Sequence, residues 1–153
     1  MKLIGCAVLL LLLAQVSHAK TGKINRIYGE VLLTEVAMDT PKIWHREEID
    51  APTPLVNYPI ELAKARIQGC TVLSFDITED GTTENVGVVS SIPNKHLGKY
   101  TKKEIKGWRW EQLEPQQSAM SEKRILRFDY CLGLESAEQS LAQCQQQAQL
   151  NCG

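Results

Sequence analysis

The sequence has no excess of charge of either sign. Its 153 residues include 17 Lys and Arg against 18 Asp and Glu, which gives a formal net charge of −1. Because nucleic-acid-binding domains usually show a basic bias, this class of protein is not indicated. Hydrophobic residues make up 43% and charged residues 23% of the chain, as in ordinary globular proteins. The length predicts one domain with appendages.

The motifs of common enzymes and metal sites are also missing. The sequence has no Gly-x-Ser-x-Gly elbow, no phosphate-binding glycine loop and no Cys-x-x-Cys pair. Residues Asp76–Gly81 begin like a calcium loop, but Gly87 stands where the last carboxylate ligand belongs, so we expect a hairpin turn. His45 and His96 have no Cys or carboxylate at ligand spacing and are interpreted as surface residues. We therefore expect no enzymatic activity, cofactor, metal or small-molecule substrate.

The longest apolar run, Leu3–Val16, contains a Gln and is shorter than the roughly 20 apolar residues that a membrane-spanning helix needs. It follows a basic start, and Ser17 and Ala19 supply the small residues of a cleavage site. This pattern predicts a secretory signal peptide, residues 1–19, and hence export to the periplasm. The alternative is an uncleaved anchor in the inner membrane.

Removal of residues 1–19 would take Cys6 away and leave an even number of cysteines. An even number in an exported chain indicates disulfide bonds, and four cysteines allow three pairings. The four are Cys70, Cys131, Cys144 and Cys152.

Both ends of the mature chain are interpreted as appendages. Residues 20–54 form an N-terminal extension in which Ile24–Leu33 could be a strand or two. Within it, Pro41–Pro54 is interpreted as an extended, semi-rigid connector because its prolines are closely spaced. Residues 134–153 form a Gln-rich tail with a weak helical stripe of apolar residues at Leu141, Cys144 and Ala148.

Two helices are predicted in residues 55–133. Pro59 suits the first turn of a helix, the spacing of Ile60 and Ile67 is helical, and Gly69 is expected to end the helix. A second helical stripe consists of Leu97, Tyr100, Ile105 and Trp108.

Three strands complete this region. Cys70–Thr78 and Lys123–Leu132 alternate between apolar and polar residues, as half-buried strands do. Between them, Thr83–Ser90 follows a hairpin turn, with Val86 and Val88 pointing inward. The sequence therefore predicts an α+β fold in which two helices cover one face of a three-stranded antiparallel sheet, in the order αββαβ.

The order of these residues resembles the C-terminal domain of TonB over about residues 55–133. The resemblance lies in Tyr58-Pro59, Gly69-Cys70, the turn at Glu79–Thr82, and the closing Trp108-Arg109-Trp110. It implies the same fold, with the first strand central and the last strand at one edge of the sheet. It also implies a non-enzymatic binding module related to transport across the outer membrane.

In that family the edge strand pairs with a short extended segment of a transporter, the TonB box, by strand addition. Carried over, the edge is Lys123–Cys131, with a protein or peptide segment as partner: a segment resembling the TonB box of an outer-membrane transporter, or a segment of another envelope protein. The residues that the resemblance places at this binding site are Lys123, Arg124, Ile125, Arg127, Asp129, Leu55, Asn57 and Tyr58. The arginines have a second reading, as charges that keep an edge strand from pairing with itself.

The chain departs from the family's best-known member at two positions near Tyr58. Leu55 replaces a Gln that contacts transporters, and Glu61 replaces an Arg. Alternatives to an exported adaptor are a membrane-anchored energy transducer and a structural component of an envelope complex. Because domains of this family can exchange strands, a homodimer is also open.

The family's strand order implies a disulfide pairing. With the first and last strands as antiparallel neighbours, Cys70 and Cys131 lie close together on the face away from the helices, so we expect a Cys70–Cys131 bond. Cys144 and Cys152 would then pair, which requires the tail helix to break near Leu150.

Overall fold

The structure, a computed structural model, describes residues 28–46, 56–133 and 135–153. The expected signal peptide and Leu55 lie outside this range. The elements in chain order are β1 (Tyr28–Glu35), β2 (Trp44–Arg46), α1 (Ile60–Lys64), β3 (Gly69–Ile77), β4 (Thr83–Ile92), α2 (Lys95–Ile105), β5 (Trp110–Gln112), β6 (Glu122–Gly133) and α3 (Ala137–Gln147).

The predicted α+β class is confirmed. The main sheet is antiparallel with the strand order β1-β6-β3-β4, and β2 pairs with β5 in a small second sheet. The expected part, β6-β3-β4, therefore has the expected order, with β3 between the other two. The N-terminal extension adds β1 as a fourth strand, and its second half contributes β2, so Pro41–Pro54 is more than a connector.

Period-two alternation explains the two central strands. In β3 the side chains of Leu73, Phe75 and Ile77 are buried, and in β6 those of Leu126 and Phe128 are buried. These residues point to one face of the sheet, where α2 adds Leu97 and Ile105 to the same core cluster. Because successive side chains of a strand point to opposite faces, the alternating pattern identified this core correctly.

The two helices on this face are shorter than predicted. α1 has five residues, none of them buried, and Ile60 is 61% exposed, whereas Leu62 packs against the core. The chain leaves α1 through Arg66, whose φ is +53°, so Gly69 is the first residue of β3 and does not end the helix. α2 ends at Ile105, so Trp108 lies beyond it and is not part of a helical stripe.

The hairpin between β3 and β4 forms as predicted, with Gly81 at φ +69°. β4 extends to Ile92 and contains a bulge around Asn85, whose φ is +50°. Val86 is buried, and Val88 lies opposite Leu73 and next to Gly98 of α2, so both point to the predicted face, although Val88 is 40% exposed.

The C-terminal tail forms α3, which packs on the opposite face of the sheet from α2, against β6 and β1. Ser140 and Cys144 are its buried residues, and Leu141 is exposed. The side chain of Ser136 caps the helix by accepting a hydrogen bond from the backbone N–H of Gln139. The predicted helical tail is therefore confirmed, but Leu141 is not on its buried side.

Candidate functional site

β6, the strand expected to bind a partner, is paired on both sides. β3 lies antiparallel on one side, and β1 lies antiparallel on the other, from Tyr28 opposite Gly133 to Glu35 opposite Leu126. The prediction that Lys123–Cys131 is the open edge of the sheet is therefore wrong. The cause is the N-terminal extension, which the resemblance does not cover and which forms a strand on this edge.

The direction of the backbone groups of β6 follows from one hydrogen bond beyond the end of β1. The N–H of Val36 donates to the carbonyl oxygen of Ile125 at 3.1 Å. In an antiparallel pair, both backbone groups of a residue point to the same neighbour and alternate along the strand. The groups of Ile125, Arg127 and Asp129 therefore point to β1, and those of the intervening residues point to β3. Any strand added at this edge would form its hydrogen bonds with the backbone groups of Ile125, Arg127 and Asp129.

One face of β1 contacts the core. Val31 and Leu33 are partly buried against the core cluster. Two residues earlier on the same face, Gly29 lies under Tyr58, and a Cβ atom at Gly29 would be 2.7 Å from Cγ and 2.9 Å from Cδ2 of that ring. Contacts this short are essentially never made by a Cβ atom, so this position of β1 accepts only glycine unless Tyr58 moves.

Tyr58 is held on its other sides. Its ring meets that of Tyr130 edge to face, with 5.6 Å between the centroids, and its hydroxyl donates a hydrogen bond to the carbonyl oxygen of Ile67. Burial raises the pKa of Tyr58 to about 12, because removal from water disfavours the charged phenolate. These contacts hold the ring of Tyr58 in place beside Gly29 and β6. Tyr58 is one of the residues that were predicted to bind a partner.

At the other end of β1, Glu35 meets a buried arginine. The Nη1 atom of Arg124 is 3.2 Å from Oε1 of Glu35, and Lys42 donates to the same carboxylate at 2.9 Å. The side chain of Arg124 is 6% exposed and also donates to Oε1 of Glu122, with 2.9 Å from Nε, and to the carbonyl oxygen of Trp44. Arg124 therefore contacts β1 directly, and it is not a charge exposed on an edge.

Arg127 is engaged with the tail on the other face of β6. Its guanidinium group makes two hydrogen bonds to the carboxylate of Asp129, at 2.8 and 2.9 Å, and donates to the carbonyl oxygens of Gln147 and Leu150. Asp129 is fully buried and also accepts a hydrogen bond from the side chain of Gln147. Because these two residues neutralise each other beneath α3, the idea that Arg127 guards an open edge is wrong.

Cys70, Cys131, Cys144 and Cys152 are all in disulfide bonds, but the pairing differs from the expected one. Cys70 is bonded to Cys152, and Cys131 is bonded to Cys144. Cys70 lies opposite Asp129 in the ladder, so Cys131 is not its direct neighbour. Both cysteines do point away from α2, as expected, and α3 lies on that face, so the tail supplies the partner of each. Because Cys144 and Cys152 are not bonded to each other, no break near Leu150 is required, and α3 ends at Gln147.

The other residues of the predicted site are spread around this edge. Lys123 is exposed, Ile125 is partly buried, and Asn57 is exposed next to Tyr58. Leu55 falls outside the described residues. Of the predicted set, Tyr58 and Arg124 contact β1 with their side chains.

The sequence did not predict the small second sheet or the buried hydrogen bonds that hold β2 in place. Trp44 in β2 is buried and its indole N–H donates to the carbonyl oxygen of Met120. The buried carboxylate of Glu122 accepts hydrogen bonds from the backbone N–H groups of Ile43 and Trp44, at 2.7 and 3.1 Å. A buried glutamate at the start of a strand gives no sequence signal that separates it from an exposed one.

Two further findings concern metal and membrane sites. His45 is exposed at the surface, as expected, and lies 3.3 Å from the exposed carboxylate of Glu111. Within residues 28–46, 56–133 and 135–153, no group of three or more His, Cys, Asp or Glu is arranged to hold a metal ion. In the same part of the chain, no helix is long and apolar enough to cross a membrane.

Parts of the chain are similar to known proteins. Protein TonB of Escherichia coli (strain K12) is 33% identical over 58 residues, which are 38% of this chain and 24% of that protein. The chain thus matches about a quarter of the length of this relative. A solution NMR structure of the Pseudomonas aeruginosa TonB CTD is similar over 67% of this chain and 96% of that chain, with a TM-score of 0.46 and 21% identity.

The sequence profile of the family described as Gram-negative bacterial TonB protein C-terminal matches residues 54–132. This range is about half of the chain, and it contains α1, β3, β4, α2, β5 and nearly all of β6. β1 and α3, which flank β6, lie outside it. The chain therefore belongs to the family of TonB C-terminal domains.

Proposed function

We propose that this protein is an exported binding module of the cell envelope that recognises an extended segment of another protein by strand addition to β6. The partner segment would take the place that β1 occupies in the structure. The observation that carries this proposal is β1 itself, which is an extended segment of eight residues paired with β6 along its whole length. In strand addition, main-chain hydrogen bonds provide affinity and alternate side chains provide selectivity.

The covalent links of the fold support exchange at this position. The two disulfides join β3 to the C-terminus and β6 to α3, and neither includes β1. If β1 left, α3 would stay attached to one face of β6, and the core of β3, β6 and α2 would stay packed on the other. A partner could therefore replace β1 while the fold on which it binds is kept.

The family and the similarity to E. coli TonB support an envelope protein as the partner, with a segment of an outer-membrane transporter as the first candidate. Export through a cleaved signal peptide, residues 1–19, remains part of this proposal. Tyr58 and Arg124 would contact the added strand with their side chains. Ile125, Arg127 and Asp129 would contact it with their backbone groups, and Lys123 and Asn57 lie at its two ends.

Photo-crosslinking in the native host tests this proposal. A photoreactive residue in place of Lys123 lies near residues 36–38 of the same chain, since these residues line one surface cavity of about 200 Å³. It should therefore give an internal link while β1 is in place and an adduct to a second protein when β1 is replaced. Lys103, which is exposed on α2, is the matched control position.

The expected result is an adduct from position 123 that maps to an extended segment of an envelope protein and is lost when that segment is deleted from the partner. Gly29→Ala should increase this adduct, because the added Cβ weakens the docking of β1 against Tyr58. Equal adducts from positions 123 and 103, or only internal links with and without Gly29→Ala, would contradict the proposal.

A further inference from the structure

The side chains that line the β1 position restrict which extended segment can fit there. Gly29, Val31, Leu33 and Glu35 alternate along β1 and point to the same face of the sheet, since alternate residues of a strand share a face. Each of them meets a different feature of the fold. The selectivity of the edge, which rests on the proposed function, can therefore be worked out position by position.

The position of Gly29 excludes side chains. The atoms of Tyr58 nearest to an added Cβ are Cγ, Cδ2 and Cβ, at 2.7 to 3.0 Å, and two of these are at the base of the side chain, where rotation of the ring gives little relief. Tyr130 and the hydrogen bond to Ile67 hold the ring in place. A partner strand with alanine at this position must move Tyr58 or lift away from β6.

The next two positions on this face select apolar side chains. Val31 lies opposite Tyr130, and Leu33 lies opposite Phe128, and both partners on β6 are fully buried. A polar side chain at either position would lose water without finding a hydrogen-bond partner among these rings. Apolar residues two and four positions after the glycine are therefore preferred.

The last position selects a carboxylate. Glu35 lies between Arg124, whose side chain is 6% exposed, and Lys42. The carboxylate of Glu122 on the far side of Arg124 completes a row of alternating charges. A basic residue in place of Glu35 would face two cations, and like charges at contact distance repel each other.

We infer that the partner segment has a glycine, apolar residues two and four positions after it and an acidic residue six positions after it, with the glycine placed under Tyr58 and the acidic residue on Arg124 and Lys42. The N-terminal strand of the chain fits its own edge because it has this pattern. A protein that displaces β1 presents an extended segment of the same kind.

A nicked form of the full chain tests this inference. A protease recognition sequence is inserted between Asp39 and Thr40, which are exposed, and the folded protein is cut there, so that β1 is held without a covalent link to the rest. Fluorescent peptides with the sequence Tyr28–Glu35 are then exchanged into the β1 position. The variants are peptides with Gly29→Ala and Glu35→Lys, and Thr34→Ala is the matched control, since Thr34 is exposed and points to the other face.

The unchanged peptide should bind, and the Gly29→Ala and Glu35→Lys peptides should each bind about tenfold more weakly or worse. The Thr34→Ala peptide should stay within about twofold. If none of the peptides binds, the proposed strand addition is wrong. If all four bind equally, strand addition stands and the inferred pattern is wrong.

A second arm uses the uncut chain, so that the test does not depend on the nicked form. Tyr58→Leu removes the ring that faces Gly29. In the wild-type background, Gly29→Ala should therefore increase the hydrogen-exchange rates of the β1 amides about tenfold or more. In the Tyr58→Leu background the same substitution should have less than half of this effect on a logarithmic scale. An equal effect in both backgrounds would show that Tyr58 does not impose the glycine.

Discussion

Gly29→Ala is the smallest change that should separate β1 from the rest of the fold. It adds one methyl group, which would lie 2.7 Å from Cγ of Tyr58. Overpacking of this kind typically costs about 1–3 kcal/mol. Neither disulfide includes β1, so we expect the cost to appear as easier release of this strand, with the remaining fold kept.

The expected size follows from the local opening of β1. If the substitution lowers the free energy of opening by about 1–3 kcal/mol, amides protected by β1 exchange about 5 to 150 times faster. The alternation of backbone groups makes the result specific to individual residues. The amides of Arg127 and Asp129 point to β1 and should speed up, whereas the amide of Phe128 points to β3 and should not.

Native-state hydrogen exchange read by NMR gives these rates residue by residue. Gly87→Ala is the matched control. Gly87 is in β4, which lies on the other side of β3 from β6 and β1, and the nearest atom to its added Cβ is Oγ of Ser74 at 3.3 Å. It should leave the exchange of Arg127 unchanged. Equal acceleration at Phe128 and Arg127 would show global unfolding, and no acceleration at either would show that Gly29 is not closely packed. Both results would refute the reasoning.

Three further predictions concern the rest of the fold. Arg127→Ala leaves the buried carboxylate of Asp129 without its cation and should lower the free energy of unfolding in urea by about 3–5 kcal/mol; a loss near zero would mean that the pair is not buried in solution. Peptide mapping without reduction should recover the cross-links Cys70–Cys152 and Cys131–Cys144, and a Cys70–Cys131 peptide would contradict the structure. Because folding raises the pKa of Tyr58 from its ordinary value of 10.0 to about 12, the neutral phenol stabilises the fold fully below pH 10, and this contribution is lost as the pH rises towards 12. Tyr58→Phe should therefore show a smaller fall in melting temperature over this range, and an equal fall would be evidence against the raised pKa.

The core of the fold could be predicted because its signal is local. Alternation along Leu73, Phe75 and Ile77 and along Leu126 and Phe128 identified the buried faces of β3 and β6. The turn at Gly81 required a positive φ and has one. Each of these features depends on residues that are close together in the chain.

The position of β1 could not be predicted in the same way. The apolar residues of Ile24–Leu33 were compatible with a strand or two, but nothing in them identified β6 as a neighbour. Strand pairing is made by backbone hydrogen bonds that every sequence can form, and the side chains that fix this register, such as Gly29 under Tyr58, are far apart in the chain. The resemblance to TonB C-terminal domains covers about residues 55–133 and therefore leaves out β1. Without β1, β6 is an edge strand, and this is what the resemblance implied.

The disulfide pairing failed for a related reason. The two strand cysteines were correctly placed on the face away from α2, but their partners depend on where the tail packs. Ser140 donates a hydrogen bond to the carbonyl oxygen of Cys131 at 2.9 Å, and this contact sets α3 across β6 with Cys144 in reach. A weak helical stripe does not reveal such a docking position.

The central claim is that β1 and a partner segment use the same edge of β6. The most direct test is to measure the distance between β1 and β4 in the free protein and in the presence of the partner segment. This is the segment that photo-crosslinking from position 123 identifies. Spin labels on unnatural amino acids at Thr34 and Glu84, which are both exposed, report this distance without new cysteines. The account predicts a narrow distribution for the free protein and a broad, longer one when the segment is bound. An unchanged narrow distribution with the segment bound would show that β1 stays in place and would contradict the account.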